Sequence, residues 1–302
     1  MRYGLMVDAG GPAADFTDEV RRHAAAGVHA VGTSQIFGYD ALTLLATAGQ
    51  QVPDVELVTA VVPTYPRHPF MLAAQALTVQ AITDGRLTLG IGLSHKPVVE
   101  GVWGLSFDQP LRHMEEYLAV LMPLLHGEGV AFEGETIKVG TGPLNIVAPV
   151  PDVIVAALGP QMLELTGRVA DGTATWMTGF RTIDDLTVPT ITGAAEAAGR
   201  PAPRVMVSLP VCVTDDADAA RAQADETFSI YGYLPSYRAM LDREGAAGPG
   251  DVAVVGDEQS VTEQIARFAE AGATDFLAAA FGDHATRDRT AALVADLAKA
   301  ST

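Results

Sequence analysis

The chain repeats one phrase: a helix-forming stretch, a glycine, then a short run of β-branched and other apolar residues. It reads HAAAG-VHAVGT at Gly27, QAITDG-RLTLGIGL at Gly85, RVADG-TATWM at Gly172 and AEAG-ATDFLAA at Gly272. Glycine just past a helix takes the left-handed conformation that ends it, and the apolar run behind it reads as a buried parallel strand. On this pattern strands are predicted at Arg2–Val7, Val28–Gly32, Val55–Val62, Leu87–Leu93, Asp152–Ala157, Thr173–Met177, Val205–Val213 and Phe276–Ala280. Helices are predicted between them, notably at Phe16–Ala26, Phe70–Thr83, Leu111–Leu125, Gln161–Ala170, Ala217–Ile230 and Val261–Ala271. About eight strand–helix units in 302 residues fit an α/β fold of the (β/α)8 TIM-barrel type. An open doubly wound sheet fits less well, because the first turn, DAGGPAADF, lacks the G-x-G-x-x-G order.

Three stretches break the rhythm: a long loop at 94–110, a hairpin-like alternation at 127–148 with turn residues at Glu133–Gly134, and a Pro-, Gly- and Tyr-bearing segment at 231–256. They are expected as insertions on the C-terminal face of a single domain spanning 1–302, and so as candidate pocket walls.

Charge and composition narrow the class of function. With 19 Lys+Arg against 37 Asp+Glu, the net charge of −18 repels nucleic acid and anionic lipid surfaces. Hydrophobic residues at 48% and charged residues at 19% exclude disorder as a global description. The single cysteine, Cys212, excludes a disulfide framework and multi-cysteine metal sites, and no histidine pair is spaced for a metal. Neither a signal peptide nor a transmembrane helix is expected, so a cytoplasmic setting is.

In a barrel, chemistry gathers at the strand ends. The first strand ends at Asp8, the second at Thr33-Ser34-Gln35, the fourth at Ser94-His95, the fifth at Gly159-Pro160, and the sixth at Trp176-Met177-Thr178-Gly179. Gly159-Pro160 running straight into a helix is suited to an anion, because proline is pre-shaped for the first helical position and the free N–H groups behind it can hold a phosphate. Thr178-Gly179 would add a hydroxyl and an approachable amide. His95 stands at the mouth, where an imidazole can donate a proton near neutrality. Asp8, Gln35, Trp103 and Trp176 are the candidate substrate-pocket residues. Ordinary strand-to-helix punctuation and plain aromatic packing remain alternatives for the Gly-Pro pair and the tryptophans.

Taken in order, these segments resemble the luciferase-like superfamily, and within it the oxidoreductases that use the deazaflavin coenzyme F420. The resemblance is carried by VTAVVPTYPRHP (58–69), LTLGIGLSH (87–95), VAALGP (155–160) and ADGTATWMTG (170–179), while QIFGYDAL (35–42) and YGYLPSYRAMLDREG (231–245) resemble one actinobacterial-type branch. It implies coenzyme F420 as cofactor, with FMN as the alternative, a small-molecule substrate and a homodimer. It further implies a non-prolyl cis peptide at Ala60–Val61 behind the deazaflavin ring and a phosphate against Gly159, Pro160, Thr178 and Gly179. Ala60, Val61 and Ser94 join these as expected cofactor contacts, and Arg67 and Lys96 are candidate partners for an acidic cofactor tail. His95 matches a position that carries a glutamate acid in sugar-phosphate-oxidising members. The Asp-His pair that many members carry after the second strand is replaced by Ser34-Gln35, which removes the base for alcohol oxidation and favours reduction. A monooxygenase and a non-catalytic cofactor carrier are the other classes the sequence leaves open.

Overall fold

The computed structural model describes residues 1–301. Among them, eight parallel strands close into a ring in chain order: β1 (Arg2–Met6), β2 (Ala30–Thr33), β3 (Glu56–Thr59), β4 (Leu87–Gly92), β5 (Asp152–Val155), β6 (Gly172–Trp176), β7 (Arg204–Val213) and β8 (Asp275–Ala280). The ring closes where Arg2–Leu5 of β1 pairs in register with Asp275–Ala278 of β8. Outside it run α1 (Ala13–Ala26), α2 (Ala41–Gln51), α3 (Pro69–Ile82), α4 (Pro110–Leu125), α5 (Pro160–Val169), α6 (Val188–Ala197), α7 (Glu258–Glu270) and α8 (His284–Ala300). This is the (β/α)8 TIM barrel that the alternation predicts.

The repeated glycine behaves as expected at three of its four positions. Gly27, Gly85 and Gly272 have φ values of 95°, 79° and 95°, and Gly27 ends α1 by returning its N–H to the last turn. Gly172 departs from the pattern: α5 stops earlier, and Gly172 is the first residue of β6. Its missing side chain serves close approach instead, since a Cβ there would stand 2.3 Å from the Arg204 carbonyl oxygen on β7.

Side chains alternate across the ring wall. Leu5, Val31, Leu57, Leu89, Val153, Val207 and Phe276 face outward into the layer between barrel and helices. Ala30, Val58, Ile154, Met206 and Leu277 face inward and form a separate apolar layer. Beneath that layer the N-terminal end of the barrel is closed by charge. The Arg204 guanidinium reaches Glu56 at 2.9 Å, Asp152 at 3.0 Å and Asp275 at 2.8 Å, so carboxylates from β3, β5 and β8 share one cation. Arg2 adds a second cation to Glu56 and Asp275.

Two of the expected insertions, 94–110 and 231–256, belong to strand-to-helix connections and stand at the C-terminal mouth. The third is placed differently. Its hairpin, Val130–Glu133 paired antiparallel with Lys138–Thr141, follows a helix and packs on the outside of α4. Glu116 of α4 anchors the turn, its carboxylate accepting the N–H groups of Glu135, Thr136 and Ile137 and the Thr136 hydroxyl. Those four donors hold the carboxyl at about 2 against the opposing cost of burial. A cavity of about 640 Å³ lies between this hairpin and α4, away from the strand ends.

Without Arg204 the buried carboxylates of Glu56 and Asp275 would keep only the half-exposed Arg2 as a cation. Arg204→Ala should therefore lower the free energy of unfolding by about 3–5 kcal/mol in urea denaturation. A loss below about 1 kcal/mol would show that solvent can replace the guanidinium.

Candidate functional site

Above the apolar layer five inward positions are small. Ala60, Ala156, Ala174 and Ala279 lie within the barrel and still keep partial solvent access, so they floor a recess that opens at the strand ends. Gly92 sits between them; a Cβ there would stand 2.7 Å from Val61 Cγ2 and 3.2 Å from Ala156 Cβ. The Ala60–Val61 peptide at this floor is cis.

The chain turns sharply where β4 and β6 reach the recess. Ser94 and Met177 hold φ values of 63° and 53°, a left-handed conformation uncommon for residues with side chains and one that often marks functional sites. Beyond Ser94 a short helix, Lys96–Gly101, begins with His95 as its N-cap. Beyond Met177 the indole of Trp176 opens an aromatic wall. Trp176 meets Phe228 and Tyr231 edge-on at 5.8 and 5.7 Å, Tyr231 meets Tyr237 at 5.0 Å, and Tyr237 meets His95 at 5.5 Å. The segment 228–237 thus spans from the end of β6 to the end of β4. The Trp176 indole N–H is buried without an aligned hydrogen bond, although it lies near enough to the Tyr231 phenol to act on it electrostatically.

The sequence-predicted residues separate into groups here. His95 and Trp176 meet in the wall. Trp103, half-buried, lies in the turn after the Lys96–Gly101 helix and outside the chain of ring contacts. Asp8 is exposed after β1 and accepts the Gly10 N–H at 2.9 Å. Gln35 braces its own loop, its Oε1 accepting from the Ala41 N–H at 3.0 Å and from Arg67 at 2.8 Å. Arg67 is tied to Asp40 at 2.7 Å and Lys96 lies 3.6 Å from Glu100, so each already faces a carboxylate.

The two halves of the predicted anion site also differ. Gly159 is the exposed N-cap of α5, with no side-chain cap, and a Cβ on it would meet nothing within 4 Å. The first-turn N–H groups there remain open to an anion. At the end of β6 the Thr178 hydroxyl donates to the Trp176 carbonyl at 3.1 Å. Gly179 is covered by Glu244, whose carboxylate accepts the Thr182 N–H at 2.7 Å and its hydroxyl at 2.5 Å.

Burial lowers the pKa of His95 below the usual histidine value, which leaves its imidazole neutral at pH 7. His113, which its helical position marks as solvated or structural, proves to be part of the mouth. Its ring stacks on Tyr65 at 4.0 Å and 6°, and its Nε2 shares a hydrogen bond with Thr64 Oγ1 at 3.0 Å. Burial takes its pKa down to about 4 and pushes the Tyr65 phenol up to about 12. Among the described residues no group of three or more His, Cys, Asp or Glu side chains is placed to hold a metal ion, and no helix is long and apolar enough to cross a membrane.

A family model described as luciferase-like monooxygenase matches residues 1–275. The chain belongs to the luciferase-like family. An uncharacterised protein of Mycobacterium tuberculosis is 31% identical over 68% of the chain; the match spans 65% of that relative's length. A putative coenzyme F420-dependent oxidoreductase of the same organism is 28% identical over 96% of the chain and 98% of its own length. Among solved structures, the coenzyme F420-dependent tetrahydromethanopterin reductase of Methanopyrus kandleri superposes with a TM-score of 0.82, at 19% identity over 97% of each chain. The barrel of this luciferase-like chain is therefore the family's barrel.

The His113 stack carries a pH signature. In the unfolded chain an imidazole takes up its proton near pH ~6.5, whereas the folded His113 does so only near about 4. Between those values the unfolded state binds more protons, so His113 stabilises the fold fully above the upper value and progressively less as pH falls towards the lower. Its contribution to the slope of unfolding free energy against pH should be at most ~1.4 kcal/mol per unit in that window. Denaturant titrations at several pH values should show a shallower slope in His113→Gln; an unchanged slope would place the acid sensitivity elsewhere.

Proposed function

We propose that this luciferase-like oxidoreductase uses coenzyme F420 and works as a reductase on a small organic molecule. The observation that carries the reading is the recess: a floor of alanines and glycine set beside an uncapped helix N-terminus. A planar ring suits that floor because no inward side chain larger than a methyl rises from Ala60, Gly92, Ala156 or Ala174. A phosphate suits Gly159 and Pro160 because the first-turn N–H groups of α5 are unclaimed. Thr178 and Gly179 contribute shape at the adjacent strand end, since Glu244 takes the neighbouring donors. The full-length match to a putative F420-dependent oxidoreductase supports the choice of cofactor.

When bound, the deazaflavin would supply a hydride, which leaves orientation, exclusion of water and the proton to the protein. The floor and Val61 would fix the ring's face, and the aromatic wall would keep water from the reacting carbon. Proton delivery falls to His95 in this proposal, from a rigid strand end. The direction of reaction rests on β2. Gln35 is bound by Arg67 and the Ala41 amide, and Asp40 is held as a carboxylate by Arg67 and Thr43, so neither is poised to take a proton from an alcohol. A homodimer in the cytoplasm, as expected from the sequence and the resemblance, is carried as part of the same proposal. The family's description as monooxygenases favours one other reading, reduced FMN with dioxygen.

Calorimetry with each cofactor separates the two; tighter binding of F420 than of FMN is expected, and the reverse order would overturn the proposal. With F420 bound, His95→Gln should cut turnover at saturating cofactor by roughly 10²-fold or more while cofactor affinity stays within a few-fold. If affinity collapses and turnover survives, His95 is a binding residue only. Because the acid form of His95 is depleted at neutral pH, turnover limited by its proton should rise as pH falls towards its lowered pKa.

A further inference from the structure

Tyr237 carries an assignment that the cofactor reading does not use. Its ring is set deep in the wall between Tyr231 and His95, so it cannot swing freely. Among the described residues its hydroxyl has no hydrogen-bond partner. The Tyr231 hydroxyl lies near it and is likewise without a full hydrogen bond, beside the unsatisfied Trp176 N–H. The two phenol hydroxyls therefore stand together on one side of the recess, with the Trp176 N–H directed at the oxygen of Tyr231, and neither hydroxyl donates to a protein acceptor. The phenol oxygens are not closed off as the Trp176 N–H is, so they can give their hydrogen bonds to a molecule in the recess.

The rim above these donors is apolar. Phe37 is 71% exposed and Tyr233 82% exposed, and Ile36, Val102 and Ile230 are exposed too, all on connections that follow β2, β4 and β7. Isolated apolar side chains on a surface are ordinary, but three strand-to-helix connections at the same end of the barrel each carry one or more of them, as a mouth for an apolar molecule would. Three charged groups of these loops are already engaged. Arg67 faces Asp40, Lys96 faces Glu100, and the Asp8 carboxylate accepts the Gly10 amide.

We propose that Tyr237, supported by Tyr231, donates a hydrogen bond to the carbonyl-type oxygen of a neutral, ring-bearing substrate seated against this rim. The assignment rests on the recess being the active site, and it names the substrate class: uncharged, apolar molecules with a ketone or conjugated carbonyl oxygen. Burial raises the Tyr237 phenol well above its ordinary value, so it stays protonated throughout the working range and donates at every pH where the protein is folded. A fixed donor aimed at an oxygen that gains negative charge stabilises that charge most when the charge is greatest. His95, edge-on to Tyr237, is then free to serve as the proton source.

The test needs no cofactor. Benzylideneacetone, a neutral aryl enone, is titrated into the purified protein while the infrared carbonyl stretch of the bound probe is recorded. The expected result is saturable binding with the stretch moved to lower frequency, as a hydrogen bond requires. Tyr237→Phe keeps the ring and removes the donor; it should abolish most of that movement and weaken binding by about tenfold. Tyr233→Asp, on the rim, should weaken binding while the stretch of the probe that does bind stays shifted. An unshifted stretch in the native protein, or the same shift in Tyr237→Phe, overturns the assignment. Lack of saturable binding overturns the substrate class. Failure of F420 to bind in the calorimetry above, with the enone result intact, would overturn the cofactor reading and leave this one standing.

Discussion

Arg204 stands where β3, β5, β7 and β8 begin, and its charge is shared by three carboxylates that would repel one another without it. A buried ionic cluster of this kind is not intrinsically more stable than apolar packing, yet it is intolerant of losing a member. Its position divides the barrel. The charged group closes the N-terminal end, one apolar layer of Ala30, Val58, Ile154, Met206 and Leu277 seals it from above, and beyond it Ala60, Gly92, Ala156, Ala174 and Ala279 leave space. The recess is consequently open at one end only.

Much of the fold was legible because the information is local. A helix stop followed by an apolar run depends on a few neighbouring residues, and all eight predicted strands lie in the ring, with ends differing by a few residues. The elements the pattern passed over have identifiable causes. The α6 helix, VPTITGAAEA, opens with Val188, Thr190 and Ile191 among residues that favour strands, and tertiary packing overrides that preference. Asp40 and Asp283 cap α2 and α8 through the amides of Thr43 and Thr286, a readable helix-start signal that the strand-first reading did not weigh. Gly172 followed the glycine pattern in sequence and not in conformation, because the need to approach Arg204 on β7 is invisible without the fold.

The site was legible at the strand ends and illegible between them. His95 and Trp176 could be placed at the mouth from their positions after β4 and at the end of β6. That they share a wall depends on Tyr231 and Tyr237, which come from a distant segment whose docking no local pattern encodes. Glu244 was missed for the same reason. Its carboxylate fills donors near Gly179 that strand-end logic assigns to an outside anion. His113 was set aside because its helix begins away from the ring, whereas its ring reaches back to Thr64 and Tyr65 at the end of β3.

The aromatic wall has one further consequence. Phe228, Tyr231, Tyr233 and Tyr237 all belong to a single excursion of the chain between β7 and α7, while the floor of the recess is built from residues fixed in the ring itself. The two surfaces therefore answer to different constraints: the floor cannot change without disturbing strand packing, and the excursion can be lengthened, shortened or recoloured with the ring left intact. Descendants of such a chain can diverge in what they accept while inheriting the same chemistry underneath, and a graft of residues 228–237 into a related barrel would carry the preference of its parent with it.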